Sequence, residues 1–358
     1  MRKREYPGID RFRLAAAMMV IAIHTAPFSV WNDTADFMLT YCVCRVAVPF
    51  FFMVTGCFVL GPYLADRAGR NASEDAGGAA RGNISGKSAA RVWKFFRKNM
   101  IVYLAVTILY LPLTVYSGNL PGSFGEALRD VFFDGTFYHL WYFPAVLLGM
   151  ALMIAVGRFS VKCAAWFSVT AYVIGVFGDS YYGIVEKVPV LAEVYRGIFA
   201  VSSYTRNGIF FAPLFLMLGA LCRRIRMSGT VCRAGLGISF LILLAEGYLT
   251  YASGIQKHNS MYFALPFVMF FLFRLLLDVR GRAPAWARDC SLLVYVLHPA
   301  VIVALRGAAE VTHTTKWLVD NTLIEFVAVC AATLALSLAL QRARETAERG
   351  IAGRRGDL

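Results

Sequence analysis

Charge is what this 358-residue sequence has least of: Asp, Glu, Lys and Arg make up 16% of it, against roughly 25% in soluble domains. Acidic residues number only 22 and histidines five. The eight cysteines form no C-x-x-C pair and show no His/Cys ligand spacing, which argues against a disulfide framework and a structural zinc site, so no metal is expected. No long internal repeat is visible, which weakens an inverted-repeat transporter. The first apolar segment lacks a small-residue cleavage site and is expected to be a retained helix rather than a signal peptide. These shortages do not fit an ordinary cytosolic enzyme.

What is plentiful is apolar. Hydrophobic residues reach 58%, with 28 Phe and 17 Tyr, and mean hydropathy is +0.59. A membrane span needs about 20 predominantly apolar residues. Ten candidates are visible, near 12 to 30, 37 to 60, 99 to 116, 139 to 156, 164 to 178, 207 to 222, 235 to 253, 261 to 277, 290 to 306 and 322 to 341. The fold class expected is an all-α integral membrane bundle of about ten helices. Residues 1–345 read as one transmembrane domain, with a flexible cytoplasmic loop over 66–90 and a short basic tail over 346–358.

The net charge is nevertheless +14. Placing both termini in the cytoplasm puts 27 of the basic residues and ten acidic ones on that side, leaving seven basic and ten acidic outside. This is the asymmetry of the positive-inside rule. The surplus charge therefore points to a multi-pass protein of the cell membrane, with the lipid bilayer as partner and no nucleic acid.

Ionisable residues within spans are costly and mark function by default. Arg13 and His24 lie eleven positions apart on the first span, which brings them to within roughly 20° of one helical face, about 16 Å apart along the axis. Arg45 falls inside the second span, and its partner is expected to be Asp10, Glu246, Glu325 or a substrate. His298, in the ninth, is either a second functional histidine or a packing residue before Pro299. His258 and His313 fall on expected outer loops and read as solvated.

Gly8-Ile9-Asp10-Arg11-Phe12-Arg13, ten apolar or small residues and then His24 resemble the R-x10-H motif of the acyltransferase 3 family of bacterial membrane acyltransferases. Val48-Pro49-Phe50-Phe51-Phe52-Met53-Val54-Thr55-Gly56, His139-Leu140-Trp141-Tyr142-Phe143-Pro144 and Ser291 through Pro299 extend the resemblance over nearly the whole chain. Thr205-Arg206-Asn207-Gly208-Ile209-Phe210-Phe211 is similar to a stretch of the subset that includes membrane domains of serine/alanine racemases.

The resemblance implies transfer of an acyl group, usually acetyl, from cytoplasmic acetyl-CoA or another acyl-CoA to a hydroxyl of an envelope carbohydrate or related acceptor. It makes His24 the catalytic residue and Arg13 its partner. A neutral histidine titrating near 6.5 would serve as general base or carry the acyl group itself; the sequence does not choose. Arg91, Lys94 and Lys98 fall on one helical face with Arg97 close by Lys94, and the four are expected to bind the phosphates of coenzyme A, anionic lipid, or both. His139, Trp141, Arg206 and Asn207 fall on the outer side, where an acceptor would arrive, and with Arg45 and His298 form the candidate substrate-binding set. A small-solute transporter or flippase-like module is the competing reading.

Overall fold

The structure, a computed structural model, describes the backbone of residues 6–75 and 84–356. The described residues are helical and contain no strand. The helices used below are α1 (Pro7–Thr25), α2 (Asp33–Gly69), α3 (Ile84–Tyr116), α4 (Tyr142–Val156), α5 (Val161–Phe177), α6 (Pro189–Val201), α7 (Ala212–Cys222), α8 (Gly229–Ala252), α9 (Leu265–Asp278), α10 (Ala285–Val311) and α11 (Thr322–Gly356). Each of the ten apolar segments contributes a helix. Five stretches, Asp33–Gly69, Gly86–Tyr116, Gly229–Ala252, Trp286–Val311 and Thr322–Glu348, are long and apolar enough to cross a membrane. Helices α4, α5 and α7 are shorter; the 11 residues of α7 rise only about 16 Å.

Local chemistry sets the boundaries. Helix α1 stops at Thr25, short of the expected Val30, because Ala26 turns left-handed (φ 46°) and Pro27 follows. Helix α2 is not uniform: a π-helical stretch Met38–Val43 and a 3₁₀ turn Cys44–Val46 precede Pro49, and a second π stretch covers Gly56–Leu60. Pro49 has no N–H for the Arg45 carbonyl and crowds it, which accounts for the irregular pitch on its N-terminal side.

The flexible loop expected over 66–90 is corrected at both ends. Helical backbone continues through Gly61–Asp75 and resumes at Ile84, leaving 76–83 outside the described residues. Alanine and arginine favour helix without any apolar period, so periodicity gave no warning.

The chain divides into two compact units, 1–47 with 275–358, and 48–274. In the first, α1, α10 and α11 pack around Ala17, Ile21, Val294, Ile302 and Val329. A Cβ on Gly8 would lie 2.3 Å from the Leu276 carbonyl, so the first turn of α1 rests directly on main chain. In the second unit α2 and α7 cross in the same manner. A Cβ on Gly56 would meet the Leu216 carbonyl at 2.0 Å, and one on Gly219 the Met53 carbonyl at 2.1 Å. Small residues let the two backbones touch, as membrane helix crossings require.

Candidate functional site

In the first unit His24 occupies the last turn of α1, half-buried, with its ring stacked on that of His298 at 5.3 Å between centroids and 22° between planes. His298 is fully buried. Its position follows from the proline beside it. Pro299 has no N–H for the Tyr295 carbonyl four residues back, and His298 Nδ1 fills that vacancy at 2.8 Å, with the Val294 carbonyl at 3.2 Å. Only a protonated Nδ1 can serve a carbonyl, so the Nε2 of a neutral His298 carries the lone pair. The buried His298 thus lies against His24.

Arg13 pairs with Asp10 one turn back, Nε to Oδ1 at 3.4 Å. Arg45 lies over the Tyr41 ring at 4.7 Å. The carboxyls considered for Arg45 are engaged elsewhere: Asp10 with Arg13, Glu325 with Arg306 through contacts of 2.6 and 3.3 Å, and Glu246 with Tyr181 and two main-chain N–H groups. Near the first turn of α1 a pocket of about 450 Å³ is lined by Tyr6, Pro7, Asp278 and Arg280.

The second unit holds the remaining candidates. Arg91, Lys94, Arg97 and Lys98 are all exposed on α3, whose sequence from Ile84 to Tyr116 contains no acidic residue. His139 is 1% exposed, with its ring edge-on to Tyr110, Phe137 and Tyr138. Asn207 spends its amide on its own turn. Its Oδ1 accepts from the N–H groups of Ile209 and Phe210, and its Nδ2 donates to the Tyr204 carbonyl and Ser202 Oγ. Asn207 therefore fixes the turn entering α7 and with it the neighbouring Arg206, whose guanidinium lies 5.2 Å from the Trp141 ring and 4.4 Å from the Tyr204 ring.

His258 corrects the expectation of a solvated loop histidine. It is half-buried, its ring 4.4 Å from that of Tyr204. Burial lowers its pKa from the ordinary histidine value; Asp179 opposes that shift, while Arg206 and Lys257 add to it. Asp179, wholly buried and not singled out by the sequence, accepts the N–H groups of Ser260 at 2.7 Å and Met261 at 3.0 Å. Glu246 does the same for Phe263 and Ala264 at 2.7 and 2.8 Å, and Asp134 for Ser203 at 3.2 Å. Three carboxylates thus satisfy the amides of irregular backbone that no helix could serve. Their only trace in the sequence is an acidic residue in an otherwise apolar neighbourhood. No group of three or more His, Cys, Asp or Glu that could hold a metal occurs among the described residues.

Comparison with known proteins places this geometry in context. A family described as an acyltransferase domain, acyltransferase 3, matches residues 6–342. Two proteins of Enterococcus faecalis named amino-acid racemase are 35% identical over 350 residues and 38% over 351, each match covering 95% of this chain and 46% and 47% of the relative. A serine/alanine racemase of Enterococcus gallinarum is 36% identical over 334 residues, 91% of this chain and 45% of its own. The chain thus spans less than half the length of these relatives. No solved structure matches.

Proposed function

Because the chain belongs to the acyltransferase 3 family, we propose that it transfers an acetyl or other short acyl group from cytoplasmic acyl-CoA to a hydroxyl of an acceptor on the opposite side of the membrane, a carbohydrate or a related small molecule. The observation that carries this reading is the family match over residues 6–342. His24, held against the buried His298, is the base in this scheme. The acceptor O–H gives its proton to the imidazole as its oxygen bonds to the thioester carbonyl carbon. The C–S bond then breaks, and the departing thiolate takes the proton back from the imidazolium. In the alternative route a His24 nitrogen bonds to the thioester carbonyl carbon, the C–S bond breaks and coenzyme A leaves as the thiol with the imidazole proton; the acceptor oxygen then takes the acyl group as the C–N bond breaks, and its proton returns to the imidazole.

Arg13, already beside Asp10, is the positive group nearest in motif to His24. The pocket at the first turn of α1, with Arg280 on its wall, and the exposed basic face of Arg91, Lys94, Arg97 and Lys98 are two sites where phosphates of a donor would find counter-charge. Purified protein in detergent is expected to consume acetyl-CoA, with His24→Ala lowering turnover at least about a hundredfold at unchanged thermal midpoint. Equal turnover by His24→Ala would overturn the assignment.

A second reading is favoured by the names of the relatives, of which this chain matches less than half: a membrane module that moves a small solute for a neighbouring enzyme. Uptake of an amino acid into vesicles containing the protein, without any acyl donor, would decide for it.

A further inference from the structure

We propose that Arg206 and His258 form a binding subsite for a small carboxylate bearing an adjacent hydroxyl or ammonium group. The proposal deepens the function above by naming the chemistry of the acceptor. It rests on that reading only for the identification of the occupant as acceptor, because binding needs neither donor nor turnover.

Arg206 is a half-buried cation with no carboxylate partner among the described residues. Its guanidinium is held by the Tyr204 and Trp141 rings, its Nη1 reaches Ser260 Oγ only at 3.5 Å, and its buried Nε has no hydrogen-bond partner. A guanidinium held through its π face keeps its in-plane N–H groups for a forked acceptor, which is the geometry of a carboxylate. His258 stands on the same Tyr204 ring. One of its nitrogens bonds to the Ser203 carbonyl while the buried Nε2 has no partner. In the neutral ring that Nε2 is an acceptor, suited to an O–H or N–H next to the carboxylate.

The charged groups around His258 are Asp179, Arg206 and Lys257. Lys257 is itself held over the Tyr182 and Phe199 rings. The cluster therefore keeps a net positive charge, which selects an anion. Tyr204, whose ring lies against both Arg206 and His258, is itself half-exposed.

The test is direct binding to the purified full chain in lipid nanodiscs without acyl donor, by calorimetry. The probes are lactate, alanine, glucuronate and acetate, with lactamide and glucose as the neutral counterparts of lactate and glucuronate. At least one carboxylate is expected to bind at least about tenfold more tightly than its neutral counterpart. The affinity should fall with salt and drop about tenfold or more in Arg206→Gln. His258→Gln should weaken lactate or alanine more than acetate, which has no adjacent donor. Binding of alanine alone identifies an amino acid as occupant, and of glucuronate alone an acidic sugar. Absence of carboxylate binding, or equal binding of lactate and lactamide by the wild type, overturns the proposal even if Arg206→Gln does not fold. Loss of turnover in His24→Ala has no bearing on these results.

Discussion

At the scale of single residues the chain places its polar groups by what the backbone leaves unmet. His298 serves the carbonyl freed by Pro299, and Asn207 serves its own turn; both were legible in the sequence as residues of interest, but their partners were not. The R-x10-H spacing gave His24 a face and a depth, whereas its contact with His298 joins positions 274 apart, which no local period encodes. His258 was misread for the same reason: it sits in a polar loop, and the Asp179 that anchors its neighbours comes 79 residues earlier. Its environment makes a pH prediction. Burial holds the folded-state pKa below the ordinary value, near 6.5, so the folded protein resists protonation and the unfolded chain does not. Stability from this group is full above that value and is lost as pH falls through it toward the lower folded pKa. The thermal midpoint is expected to decline between pH 7 and 5, and less steeply in His258→Gln. An identical decline in the variant would assign the effect to other groups.

At the scale of elements, apolar run length told where each helix would be but not how long. Helix α7 starts five residues inside the expected 207–222 because residues 202–211 form turns braced by Asp134 and Asn207 before the helix begins. The crossing of α2 and α7 gives Gly56, part of the apolar motif read from the sequence, a mechanical reason. Gly219→Ala is expected to lower stability by about 3 kcal/mol, because the group in its way is main-chain carbonyl and cannot rotate aside. Gly237→Ala in α8 has nothing within 4 Å of the new methyl and is expected to be neutral or stabilising by up to about 1 kcal/mol. Denaturation in a mild detergent series compares the two. A Gly219→Ala protein as stable as wild type would mean that the helices can separate without loss.

At the scale of the whole molecule, the charge asymmetry of the sequence favours one orientation, which the helices alone do not fix. On the proposed topology Cys163, exposed in the first turn of α5, faces the cytoplasm, while the exposed Lys187 faces outward. A membrane-impermeant maleimide applied to intact cells is expected to label Lys187→Cys and to leave the native Cys163 unlabelled until the cells are opened; the reverse order would invert the topology. The division into two units was not legible, because the first is assembled from both ends of the chain and composition does not change where they meet. The carboxylate anchors carry a consequence for how such a protein diverges. Asp134, Asp179 and Glu246 grip main-chain N–H groups, which every residue except proline offers, so the anchors themselves set no side-chain identity at 203, 260, 261, 263 and 264, although the buried Ser260, Met261 and Ala264 are fixed by their packing. Relatives could thus exchange the exposed Phe263 and the half-buried Ser203 while inheriting the same main-chain frame, and variation would gather there at little cost to folding.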